Sequence, residues 1–226
     1  MSRGEGDPIT DRSGAAEVAA LAARWPRALI ERGEAERLST GWVASRRAAV
    51  AAGRPALAEH PLRPPLVAAL FEARRARRLV RGLEAAETAL EAQRRGVGAI
   101  RSSARAASPA APERISRLLL ISSDGSERFY RGVERLRQKY GAVIEVIRIV
   151  CDELELGAGV FGPGKRVRAL LVDHKDAVIR VLEALDWLAT AEPGEEPEIE
   201  PEAGGSGNAG ADPVRDGSPS AARVST

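Results

Sequence analysis

Three short apolar runs constrain this chain more than any other feature: LLLIS at 118–122, VIEVIRIV at 143–150 and VRALLV at 167–172. Each is shorter than a buried helix and built from leucine and β-branched residues, the pattern of strands covered on both faces. Amphipathic stretches follow two of them. Phe129, Val133, Leu136 and Tyr140 fall on one helical stripe, and so do Val178, Leu182, Leu185 and Ala189, giving each predicted helix an apolar face to lay on a sheet. Strand-helix-strand alternation with short crossovers predicts right-handed parallel connections. The expected class is α/β: a three-layer α/β/α sandwich around a small sheet.

Upstream, Leu66, Leu70, Ala73, Ala76 and Val80 predict a helix whose other faces carry Arg74, Arg75, Arg77 and Arg78. LRPPL at 62–66 marks its start, since proline is tolerated only in a first helical turn. A second helix, opened by Gly82, runs through Leu83, Ala86 and Leu90 and is expected to stop at Gly96, leaving 97–115 as an insertion loop. Residues 15–61 read as two or three short helices divided at Pro26. The expected organisation is therefore a disordered 1–14, a helical segment over 15–61, an α/β/α domain over 62–190 and a disordered acidic tail over 191–226.

Composition excludes several functions. No run approaches the roughly 18 uninterrupted apolar residues of a membrane helix, and MSRGEGDPITDRSG lacks a signal peptide's apolar core, so a cytoplasmic location is expected. A single cysteine, Cys151, makes no internal disulfide, and with only His60 and His174 it assembles no zinc-type ligand set. Neither metal nor cofactor is expected. The net charge of +2 conceals an asymmetry: residues 192–226 carry −6, which leaves +8 on residues 1–191. A basic body favours polyanionic partners.

Two places invite a chemical reading. Ser122, Ser123, Asp124, Gly125 and Ser126 join a strand end to a helix start, where free N–H groups attract an anion and where Asp124 or Ser126 equally serves as an N-cap. Neither G-x-G-x-x-G nor G-x-x-x-x-G-K-[ST] occurs, and FGPGKR at 161–166 precedes a strand rather than a helix. Cys151 and His174 follow successive strands, which makes a thiolate-imidazole pair conceivable against the plainer reading of a packed thiol and a helix-start histidine.

The order of these pieces carries a resemblance. EARRARRLVRGLEAAETALEAQRRG gives a basic helix, a short strand and a glycine; RLLLISSDGS a strand ending in an acidic turn; CDELELGAGVFG a short helix with Leu-Gly; and VRALLVDHKDAVIRVLEAL a last strand and helix. Residues 66–188 thus resemble the ribosomal protein L-seven-Ae / L-thirty-e family, the Pelota-type RNA-binding domain. GWVASRRAAVAAGRPALA at 41–58 faintly resembles the end of the YlxR-type module that some bacterial proteins place before a similar domain. The resemblance implies a non-catalytic, RNA-associated protein whose partner is structured RNA, ribosomal RNA included. The implied contacts are Arg81, Gly82, Glu84, Arg94, Arg95, the Asp124-Gly125 turn and Leu156-Gly157. Kink-turn binders carry Asn-Glu and a downstream Lys after the glycine, where this chain has Leu83, Glu84, Ala85 and Thr88. The alternatives are a protein scaffold using the same surface and a Cys/His-dependent enzyme.

Charge asymmetry yields the first test. Truncation that removes residues 192–226 raises the net charge from +2 to +8 and is expected to strengthen RNA binding most at low salt, where screening is weakest. Titrating full-length and truncated protein against one RNA at two salt concentrations checks this; equal low-salt affinities refute it.

Overall fold

Five of the six residues of strand β3 (Arg117–Ser122) are buried, and the strand is hydrogen-bonded along both edges. The computed structural model describes residues 8–104, 113–185 and 187. Helices α1 (Pro8–Ala22), α2 (Arg27–Glu31) and α3 (Ala35–Ala51) precede β1 (Ala58–Pro61), α4 (Pro64–Arg75), β2 (Leu79–Arg81) and α5 (Leu83–Ala104). After β3 come α6 (Glu127–Tyr140), β4 (Ile144–Val150), α7 (Glu153–Phe161), β5 (Ala169–Val172) and α8 (Lys175–Glu183). The strands form one mixed sheet in the order β1-β4-β3-β5-β2.

Strand alternation divides the core. Leu118, Leu120, Ile147, Ile149, Leu170 and Val172 pack with α1–α4, α7 and α8, whereas Leu119, Ile121, Val146 and Leu171 pack with α5 and α6. This is the expected α/β class in three layers. No helix among the described residues is long and apolar enough to cross a membrane.

Several expectations need correction. β1 was not foreseen: it pairs in parallel with β4, Glu59 opposite Arg148, and brings residues 15–61 into the same compact unit as the rest. The separation expected at 61/62 reduces to a two-residue link, with Pro64 in the first turn of α4. Trp25 and Trp42 are fully buried and meet edge-to-face at 5.2 Å, and Trp42 meets Trp187 at the same distance, so the N-terminal helices clamp the end of the α8 segment. α1 begins at Pro8, inside the stretch expected to be disordered, and Gly14 lies so close to α3 that a Cβ there would stand 2.8 Å from Arg47. Residues 1–7 and 188–226 lie outside the described residues.

α5 continues past Gly96 and Gly98 to Ala104, since each glycine costs a helix only about 1 kcal/mol. The central part of the expected insertion, 105–112, lies outside the described residues. α4 stops at Arg75, not Val80. The Arg78 N–H donates to Ala73 O at 2.8 Å and the Arg77 N–H to Arg74 O at 2.9 Å, closing the helix with Arg77 at φ +55°.

The connections are not all parallel either. β3 and β4 run parallel, but β5 is antiparallel to both β3 and β2. A parallel crossover must carry the chain back to the opposite end of the sheet. Here the Val167 N–H reaches Glu153 O at 2.7 Å, so the loop after α7 returns to the end that β4 has just left and the chain must run back.

Arg77 is the only non-glycine residue with positive φ among the described residues. Arg77→Gly is expected to stabilise the fold by up to about 1 kcal/mol, the relief of the left-handed strain offset in part by glycine's greater freedom when unfolded. Urea denaturation checks this; a loss of stability would show that the Arg77 side chain holds the turn.

Candidate nucleic-acid interface

The reversal of β5 gathers four segments at one end of the sheet. The Gly82 N–H donates to Ala169 O at 2.9 Å, and on the other side of β5 the Ser122 N–H donates to Arg168 O at 3.0 Å. The Ser123 N–H and hydroxyl both reach Cys151 O at 2.9 Å, tying the β3 turn to the end of β4. Gly82, Asp124, Gly125 and the 162–168 loop thus form one rim. At Gly82, φ is +92° and no atom lies within 4 Å of where a Cβ would stand, so backbone is open to approach at the start of α5. Arg81 and Glu84 flank it and are exposed.

The Ser122–Ser126 turn is filled from within. The Ser126 hydroxyl caps α6 by accepting from the Phe129 N–H at 3.3 Å, and a Cβ on Gly125 would come 2.4 Å from the Phe129 ring. Asp124 turns instead toward α7. It accepts from the Ser122 hydroxyl at 2.5 Å and from the Glu153 N–H at 3.2 Å, while Asp152 accepts from the N–H groups of Leu154 and Glu155 at 2.8 and 2.7 Å. Carboxylates therefore occupy the start of α7. Partial burial works to raise the Asp124 carboxyl, but the Ser122 hydroxyl, the Glu153 N–H and the nearby Arg168 hold it below the usual carboxylate range.

Two expected contacts stand elsewhere in function. Leu156 is fully buried, and Gly157 is buried where a Cβ would sit 1.9 Å from Lys165 O. Neither can touch a macromolecule; Gly157 lets the 162–168 loop lie against α7. Arg94 and Arg95 are separated from the rim by three turns of α5, about 17 Å at 1.5 Å per residue.

The loop supplies what sequence reasoning passed over. Lys165, Arg166 and Arg168 are exposed, Arg168 paired with Glu153 at 2.8 Å and Arg166 with the same carboxylate at 3.3 Å. Arg81 stacks over the Phe161 ring at 5.8 Å, and Arg74 at 5.0 Å with a hydrogen bond to Val160 O. The signal was FGPGKR itself, whose Gly162 and Gly164 adopt φ +97° and +73° and turn the chain back along α7.

Cys151 and His174 do not meet. Because β5 is antiparallel, Cys151 follows β4 at the rim, whereas His174 follows β5 at the opposite end of the sheet. The imidazole caps α8, accepting from the Asp176 N–H at 3.3 Å. Burial, reinforced by Glu155, Asp152 and Asp124, pushes the Cys151 thiol up to about 12. Among the described residues no group of three or more His, Cys, Asp and Glu is arranged to hold a metal ion.

Neither a protein-family model nor a curated protein matches the chain. Among solved structures, one described as a protein with unknown function from Bacillus halodurans C is similar over 54% of this chain and 96% of its own, at 18% identity and a TM-score of 0.38.

The thiol gives this geometry a direct check. Alkylation of Cys151 by iodoacetamide at pH 8 is expected to be at least tenfold slower in the folded protein than in urea, because the reactive thiolate is scarce. Equal rates would place a reactive cysteine at the rim.

Proposed function

We propose that the protein is a non-catalytic binder of structured RNA and that the rim reads the RNA. The observation that supports this is the convergence of Gly82, the 122–125 turn and the 162–168 loop around the Arg168-Ala169 backbone, from segments far apart in the chain. Ligands of open α/β sheets bind beyond the carboxyl ends of strands, and β1, β2, β3 and β4 all end here. The rim is mixed in charge. Arg166 and Arg168 pair with Glu153, and Asp124 and Asp152 cap α7, while Arg81, Lys165, Glu84 and Glu155 are exposed. Carboxylates accept from base amino groups and guanidinium groups donate to base carbonyls, a pairing suited to base edges more than to a bare phosphate chain. Only 4% of residues are aromatic, which disfavours a stacking platform for single strands.

Recovery of the tagged protein from lysate with and without RNase, followed by sequencing of the retained RNA, tests the reading. On an RNA so found, Arg81→Ala with Glu84→Gln is expected to weaken binding by about 1–3 kcal/mol and to relax preference for the sequence contacted. Protein partners that stay bound after RNase, with no RNA retained at low salt, would point to a protein scaffold instead.

A further inference from the structure

The end of the sheet opposite the rim carries the stronger positive charge. Leu79 and Leu118 pair with Val172 from its two sides, so Arg78, Asp173 and Arg117 continue the same row across β2, β5 and β3. The Asp173 N–H donates to Arg78 O at 2.8 Å, and the Arg117 Nε donates to the Asp173 carboxylate at 3.1 Å. One guanidinium is thus paired with this carboxylate, and the Arg78 backbone is tied to the same residue. Burial above all, with Arg78 adding to it, lowers Arg117 from its ordinary value despite Asp173.

Further cations arrive from three elements. Arg77 projects from the left-handed turn beside Arg78, and Lys175 and Arg180 from α8. Arg78 and Arg180 both line a groove of about 250 Å³ between α4 and α8, together with Ala73 and Ala177. α5 runs from the rim toward this end on the other face of the sheet, where Arg94 is exposed one turn beyond Leu90 with Glu91 beside it. Its position about 17 Å along the helix is close to the ~20 Å length of β3. Five basic groups, Arg77, Arg78, Arg117, Lys175 and Arg180, thus cluster with Asp173 and Asp176, while Glu72, which also lines the groove, is paired with Arg75 at 3.4 Å.

We propose that this end is a second RNA surface, which holds the phosphate backbone without regard to sequence. The inference rests on the RNA-binding reading and divides the contacts between two ends. Long basic side chains spread over several elements match a line of phosphates, and here they outnumber the carboxylates Glu72, Asp173 and Asp176. Arg77 fits this role. It is exposed beside Arg78, in a turn whose backbone a glycine would relax.

The test uses the full chain, a hairpin RNA with a duplex stem and a second hairpin of scrambled stem sequence. Arg77→Glu with Lys175→Glu changes two exposed side chains and is expected to weaken both RNAs alike, by tenfold or more at low salt. The slope of log affinity against log salt should fall in magnitude by about one to two. Arg77→Gly should also bind more weakly while melting no lower than the parent, which separates lost contacts from lost folding. Unchanged affinity and slope in the folded double variant, with the parent binding RNA, would overturn the second surface and leave the RNA reading standing. Failure of the parent to bind either hairpin at low salt would overturn both.

Discussion

Because α7 spans only nine residues and the loop behind it lies back along its length, β5 enters the sheet at the end where β4 leaves it. The close approach at Gly157 enforces this, since any Cβ there would collide with Lys165 O and push the loop off the helix. Everything at the rim follows from that direction of travel. Gly82 and Ser122 reach β5 from opposite sides only because β5 begins there, and the same reversal sends His174 to the far end, away from Cys151.

The N-terminal segment answers a different problem, posed by charge inside the sheet. β4 carries Glu145 and Arg148, both buried. Arg148 forms an ion pair with Glu59 directly across the β1-β4 ladder, and Arg54 also reaches Glu59 at 2.9 Å. Such a pair contributes little net stability, but removing one partner strands the other and costs about 3–5 kcal/mol. β1 is thereby fastened in register. Its outer edge is closed by Ser45 of α3, whose hydroxyl donates to Glu59 O at 2.7 Å and accepts from the Glu59 N–H at 2.8 Å. One side chain so occupies the outward groups of the edge strand and blunts pairing with another chain.

The buried strands were legible because β3, β4 and β5 are continuous apolar runs, and α4, α5, α6 and α8 because their stripes repeat at helical spacing. β1 was not. AEHP has no alternation and ends in proline, and its only advance sign was an unexplained Glu and Arg inside VIEVIRIV. The direction of β5 was equally hidden, since periodicity reports which residues are covered but not which way a strand runs. At the site, sequence placed Gly82, Glu84 and the Asp124-Gly125 turn at element ends, where they are found. It misjudged Leu156 and Gly157, because a Leu-Gly pair reads the same whether it meets a ligand or its own chain. Arg94 and Arg95 were assigned through the resemblance, and the straight run of α5 sets them three turns from the rim.

That distance gives the two ends of the molecule different physical roles in the proposed reading. The rim offers donors and acceptors in nearly equal number on backbone fixed by ladder hydrogen bonds, conditions under which a mismatched base leaves a polar group unpaired and is penalised. The far end offers an excess of cations over carboxylates, so its attraction depends on salt and not on sequence. Separated by the ~20 Å length of β3, the two surfaces would lie on the order of six nucleotides apart along a strand rising ~3.4 Å per residue. A flexible single strand gains little from such spacing, because it bends to meet either surface alone. An RNA whose stem holds its loop or bulge at a fixed distance gains both sets of contacts at once. The rigidity of the sheet between the two ends is therefore what would make shape, as well as sequence, part of what this protein recognises.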